Sequence, residues 1–282
     1  MIEVFLLGIA ILWLIFASIS DLKTHEVPDW LSYSLIIIGF VCSIFKSIIF
    51  NNIAFFFYSL FAFSLFFLIS LLLYYTKQWG GGDVKLLIGL VTLFPVYPEE
   101  LLNYFNPNLQ IPFILILILN LILFGALYSL IYGVYLLIKN KINFLNELKK
   151  SKLNKFYILT PFLFLIISIL IKDLVLKVMM LSFGLIILLT QFLLIYVRII
   201  EDKCMFKKIS INKLTEGDWI TENIYSKKTL IYNKNSPGVT KNEIALIKKI
   251  KEYVTIKEGI PFIPTFLIAF IITIIFGNLI RI

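Results

Sequence analysis

Histidine and cysteine are almost missing from this sequence. The one histidine, His25, has no imidazole partner, and Cys42 and Cys204 lie far apart with no Cys-x-x-Cys pair. Neither a thiolate zinc site nor a disulfide framework is indicated, and no metal or other cofactor is expected. The N-terminus lacks a basic stretch before its first apolar run and lacks a small-residue cleavage site, so residues 2–20 read as a retained first helix. No repeat relates the two halves of the chain, and no cofactor-binding loop stands out.

What is present is mostly apolar. The 282 residues are 60% hydrophobic, include 27 Phe and have a mean hydropathy of +0.95, whereas ordinary soluble domains are about 45–50% apolar. The excess lies in runs at residues 2–20, 31–50, 53–75, 84–97, 111–138, 156–171, 174–197 and 261–280. This pattern predicts an all-α polytopic membrane protein of about eight transmembrane helices, within the lipid bilayer. The fourth and sixth runs are short for a span, and the sixth holds Pro161. Residues 1–197 then carry helices one to seven, residues 198–260 form the one sizeable polar segment, and residues 261–282 hold the last helix.

The net charge of +9 is explained by topology rather than by nucleic acid, which is not an expected partner. With the N-terminus outside, 22 of the 26 Lys and Arg residues fall on the inner side. That asymmetry orients a multi-pass protein of the cytoplasmic membrane. Segment 198–260 reads as a small α+β cytoplasmic module. Residues 221–225, 229–232 and 254–256 suggest strands, with a turn at Ser226-Lys227-Lys228. Thr240-Lys241-Asn242-Glu243 is a capping-box pattern opening a helix with Ile244, Ile247 and Ile250 on one face.

Against this apolar background, Trp79-Gly80-Gly81-Gly82-Asp83-Val84-Lys85 is an interruption. Ionisable groups and Gly-rich backbone at membrane depth mark functional cavities, although Asp is also a favoured helix cap. A second carboxylate, Asp21, ends the first helix. By the topology above, Asp21 and Asp83 both lie at the inner boundary, one helical hairpin apart, where they can meet. The last helix opens with Gly259-Ile260-Pro261-Phe262-Ile263-Pro264 on the same face. Proline suits a first helical turn, and the irregular backbone there exposes groups that can pair with an extended peptide. Gly80, Gly81 and Gly82 allow such a peptide to approach closely. Trp30 and Trp79 are expected in the interfacial aromatic belt, and Glu26 and Asp29 as solvated acids.

The combination resembles the GxGD membrane aspartyl proteases, and more narrowly the archaeal type IV prepilin and preflagellin (prearchaellin) peptidases. Asp21 followed by Pro28 is similar to the family's first aspartate motif, and Gly80-Gly81-Gly82-Asp83 to its GxGD. Pro261-Phe262-Ile263-Pro264 is similar to the proline motif before its last helix, and Leu214-Thr215-Glu216-Gly217-Asp218 to the C-terminal domain of some members. The aspartate motifs cover about the first hundred residues. The resemblance implies a six-helix core, here with an extra hairpin at 156–197. It also implies removal of the short basic leader of pilin-like or archaellin-like precursors. Bacterial relatives carry cysteine tetrads and methylate the new N-terminus; this chain lacks the tetrad, and no methyltransferase activity is expected.

Peptide hydrolysis by paired aspartates needs one carboxylate ionised and one protonated, which two like charges in close contact favour. Asp21 and Asp83 are the expected catalytic pair, with Gly80, Gly81, Gly82, Pro261, Phe262 and Pro264 as substrate contacts. Lys23 and Lys85 are candidates for electrostatic support of one carboxylate. Three rival readings differ in class, one of them a structural membrane protein in which Asp21 and Asp83 only cap helices, so that their exchange for Asn changes stability but no activity. A presenilin-like or signal-peptide-peptidase-like protease shares GxGD but has Tyr before its first aspartate, where this chain has Ser20. A proton or cation transporter also uses paired carboxylates near broken helices, but predicts the internal repeats that are missing.

Overall fold

A computed structural model of the chain describes residues 2–150, 155–226 and 229–279. Helices α1 (Ile2–Thr24), α2 (Asp29–Ile49), α3 (Ala54–Tyr75), α4 (Gly81–Leu93) and α5 (Phe113–Lys139) come first. Next are α6 (Phe144–Lys150), α7 (Lys155–Leu170) and α8 (Leu174–Ile200). Strands β1 (Phe206–Ser210), β2 (Trp219–Ile220), β3 (Ile224–Ser226) and β4 (Thr229–Tyr232) precede α9 (Lys241–Ile247), β5 (Tyr253–Lys257) and α10 (Ile263–Phe276). The chain divides into two compact units, Met1–Leu130 with Lys208–Ile282, and Ile131–Lys207.

Among the described residues five helical stretches are long and apolar enough to cross a membrane: α1, α2, α3, α5 and Leu174–Met205. The protein is therefore mostly helical and multi-pass, with a small sheet module. Two shorter apolar helices are Leu159–Leu170 and Ile263–Phe276. The expected count of eight spans is not reached by length and composition. The reason is clearest at α4, which the sequence suggested as a span over 84–97. It has 13 residues, and Val84 and every residue from Leu86 to Leu93 are buried. This is a core helix, ended by the missing N–H groups of Pro95 and Pro98.

Small residues let α4 sink into the bundle. A Cβ on Gly39 of α2 would lie 2.9 Å from the backbone nitrogen of Leu93, and one on Gly89 would lie 2.9 Å from Leu35 Cβ. The two helices thus meet backbone to side chain, as membrane helices do where glycine lines the contact. Helix α10 packs against α1 and buries Thr265, Phe266, Ala269, Phe270 and Thr273. Its C-terminal carbonyls are satisfied by side chains: the Tyr97 hydroxyl donates to Ile274 O at 3.0 Å, and Asn120 Nδ2 to Gly277 O at 3.0 Å. Gly277 stops the helix with a left-handed φ of 69°, and its N–H still donates to Thr273 O at 3.1 Å.

The polar module in the first unit carries a three-stranded sheet in the order β1-β5-β2 and a separate β3-β4 hairpin. Central β5 alternates, placing Val254 and Ile256 in a core with Ile211, Leu214, Ile220, Ile224, Tyr232, Val239 and Ile247. Strands β1 and β2 were not evident in the sequence; β2 has two residues, too few for a periodic signal. The Thr240–Glu243 capping box is formed. Helix α9 ends at Ile247, so Ile250 falls beyond it and is exposed. The turn expected at Ser226-Lys227-Lys228 lies partly outside the described residues; Ser226 pairs with Thr229. Leu214–Asp218 folds as a turn in which Asp218 Oδ2 accepts the Thr215 N–H at 2.8 Å and the Thr215 hydroxyl at 3.1 Å.

In the second unit α7 and α8 pack on each other, and Gly184 faces Pro161 O and Phe164. Asp173 caps α8 by accepting the Leu176 N–H at 2.9 Å. Helix α6, not anticipated from the sequence, carries Glu147, which pairs with Lys150 at 2.8 Å and Lys203 at 3.1 Å.

Two stability outcomes follow. Gly39→Ala pushes a methyl into the Thr92–Leu93 backbone and should cost about 1–3 kcal/mol. Melting in detergent should show a lowered Tm for it and none for Gly8→Ala, whose added Cβ meets nothing. Burial holds the Asp218 carboxyl above its usual range, with the charges of Glu26 and Glu258 adding and the Thr215 hydrogen bonds opposing. A raised carboxyl binds its proton more tightly folded than unfolded. Stability is therefore lost as pH rises from the unfolded carboxylate value, about 3.9, through the folded one. Asp218→Asn should gain Tm relative to the parent chain between pH 4 and pH 7.

Candidate active site

Asp21 is buried, 6% exposed, in the last turn of α1. The helix does not stop there, as its sequence suggested, but runs to Thr24. The His25 N–H donates to Asp21 O at 2.9 Å, and His25 ends the helix with a φ of 55°. The chain then doubles back, and the Ser20 hydroxyl donates to Glu26 O at 2.9 Å. This places the Asp21 side chain against the start of α10, where Oδ2 accepts the Ile263 N–H at 2.9 Å. A helix start presents unpaired N–H groups and partial positive charge, a favourable setting for a carboxylate.

Asp83 sits in the first turn of α4, half-buried, and its Oδ2 accepts the Gly80 N–H at 3.1 Å. The segments that carry the two acids meet: Gly82 approaches Val27 of the loop after Asp21, and Trp79 packs on Phe262, the residue before the Ile263 amide that Asp21 accepts. The structure thus brings together two carboxylates from different helices, each held by a backbone amide at a helix start.

The three glycines do different work. A Cβ on Gly82 would lie 3.0 Å from Cβ of Val27, so Gly82 lets the Asp83 segment touch the loop that follows Asp21. A Cβ on Gly80 would lie 3.3 Å from Asp83 Oδ2, crowding the carboxylate. Gly81 has ordinary room, its nearest neighbour being Tyr74 at 3.6 Å. Pro261 is buried, and Pro264 lies in the first turn of α10. The Phe262 ring is packed 5.6 Å from Trp79 and 6.0 Å from Phe266, centroid to centroid. Trp79 is half-buried in this cluster, while Trp30 is exposed and meets Trp13 edge to face.

Lys85 forms an ion pair with Asp29 at 2.6 Å and lies over the Tyr33 ring; its charge is directed to Asp29. Lys23 is exposed. Glu26 and Asp29 are exposed as well. His25 Nε2 lies 3.8 Å from Glu258 Oε1. Among the described residues no group of three or more His, Cys, Asp or Glu is arranged to hold a metal ion. Gly125 of α5 was missed in the sequence. It faces Phe262, and a lone glycine inside a long apolar run carries no visible signal of such a contact.

Residues 8–134, which include both aspartates, match the sequence model of the Type IV leader peptidase family. The preflagellin peptidase of Methanococcus voltae is 26% identical over 152 residues, 54% of this chain and 64% of that protein. Prepilin peptidase EppA of Methanothermobacter thermautotrophicus is 27% identical over 152 residues, 52% of this chain and 39% of that protein. The preflagellin peptidase of Methanocaldococcus jannaschii is 33% identical over 84 residues, 30% of this chain and 36% of that protein. The chain thus spans less than two thirds of the length of these relatives. No solved structure matches it.

Removing the Asp21 side chain should leave the buried Ile263 N–H unpaired, at about 1–3 kcal/mol. Asp21→Ala is therefore expected to melt below Asp21→Asn, which keeps an acceptor oxygen; equal melting temperatures would show that the contact carries no stability.

Proposed function

We propose that this chain is a membrane-embedded aspartic endopeptidase that removes the short basic leader of pilin-like or archaellin-like precursors, with Asp21 and Asp83 as its catalytic pair. The observation that carries the reading is the convergence of Asp21 on α1 with Asp83 on α4, each anchored by one helix-start amide. The family match over 8–134 and the names of the archaeal relatives support the same reading.

In this mechanism the pair holds one proton. Two carboxylates in mutual contact resist a double negative charge and titrate as a unit. The ionised member takes a proton from water as that water attacks the scissile carbonyl. The protonated member polarises the carbonyl oxygen and stabilises the developing charge. The backbone amides of Gly80 and Ile263 fix the two side chains, so little reorganisation is needed at the moment of reaction. The Gly80–Gly82 edge admits an extended substrate backbone, and no cofactor takes part. The enzyme lies in the cytoplasmic membrane with its N-terminus outside. The active site faces the cytoplasm beside a module formed by residues 198–260, which suits a cut at the border between a polar leader and an apolar helix.

Purified protein is incubated with archaeal preflagellin and prepilin precursors, alongside Asp21→Asn and Asp83→Asn. Each substitution should lower the cleavage rate by at least about 10²–10⁴-fold, the usual worth of a positioned acid or base. Undiminished cleavage by either variant overturns the mechanism.

A further inference from the structure

Each carboxylate of the site accepts a hydrogen bond from a backbone amide at a helix start, and the residue just before that donor is aromatic. Gly80 donates to Asp83 and follows Trp79; Ile263 donates to Asp21 and follows Phe262. The two aromatic rings pack on each other, with centroids 5.6 Å apart and planes tilted by 52°. Phe266, one turn along α10, completes the cluster, 5.6 Å from Trp79 and edge-on to Phe262. On its other side the Phe262 ring is seated against Gly125 of α5: a Cβ at that position would lie 2.6 Å from Phe262 Cζ. The ring is thus confined between an indole and a helix backbone.

We propose that Trp79 and Gly125 are positioning residues, which fix the Phe262 ring and thereby tie the amide that holds Asp83 to the amide that holds Asp21. The inference rests on the peptidase reading for its effect on rate, but not for the coupling itself. Neither Trp79 nor Gly125 touches the carboxylates in this arrangement; they act one residue away through the backbone. Tilted aromatic pairs of this kind are held by ring electrostatics as well as by their buried area. A ring wedged against a glycine has no free space to shift into without moving the peptide that follows it. Phe262 is half-buried, with Gly125 at the tip of its ring and Trp79 and Phe266 beside it.

The test uses the full chain in detergent with Trp79→Ala, Trp79→Phe, Gly125→Val and the Trp79→Ala/Gly125→Val double variant. Hydrogen exchange is followed by mass spectrometry on peptides spanning residues 79–83 and 261–266, together with kcat and KM for the precursor substrates. Coupling predicts that Trp79→Ala and Gly125→Val each speed exchange in both segments. It predicts that kcat falls roughly 10–100-fold, as displacements of about 1 Å do at a catalytic pair. KM should stay within about twofold, because no substrate contact is removed. Trp79→Phe keeps a ring and should fall between the parent and Trp79→Ala. The double variant should be no worse than the poorer single one, since both break one linkage.

Exchange that quickens only in the segment nearest the substitution overturns the proposal. So does a rise in KM at unchanged kcat, which makes the cluster a substrate contact. Should the unaltered protein cleave neither precursor, the peptidase reading fails, and the paired exchange response alone then upholds or overturns the coupling.

Discussion

One hydrogen bond joins the two ends of this chain: the Ile263 N–H on the Asp21 carboxylate, across 242 positions of sequence. Without it α1 would carry a buried acid with one amide partner fewer, and the start of α10 would leave an amide without an acceptor. Each defect satisfies the other. Unpaired polar groups are costly in an apolar interior, and the cost grows with burial. The contact therefore constrains more than itself. It sets where α10 begins, and the Tyr97 and Asn120 side chains then receive the other end of that helix.

Asp83 follows the same rule with local means. Its amide partner is three residues away, and α4 begins at the pair. The segment reaches its place because Gly39 and Gly89 allow α4 against α2, and Gly82 allows the loop after Asp21 to close in. Helix burial and site geometry are one problem here, solved by removing side-chain volume at three positions. The short length of α4, which would be awkward for a lipid-facing helix, is natural for one covered by protein.

The parts of this arrangement that are legible in the sequence are those with local signatures. Apolar runs announce α1, α2, α3, α5 and α8, and the Gly80–Asp83 and Pro261–Pro264 motifs announce the starts of α4 and α10. The capping box at Thr240 and Glu243 is read correctly because both its members are four residues apart or fewer. Helix ends are less legible. Asp21, Lys23 and Thr24 look like the start of a loop because they are polar, yet the backbone keeps its helical bonds until His25 turns left-handed. Long-range pairings have no local signature at all. Nothing in the sequence says that Phe262 meets Trp79 and Gly125, or that Lys85 answers to Asp29.

The distance in sequence between Asp21 and its donor also orders events during biosynthesis. A ribosome delivers Asp21 and Asp83 early, and the amide that steadies Asp21 arrives only when α10 is made. Until that last helix enters the bundle, the nascent chain holds two acids without the frame that aligns them. A chain truncated before residue 263 keeps both aspartates and lacks the amide that Asp21 accepts, so that contact is made only once translation has passed into α10.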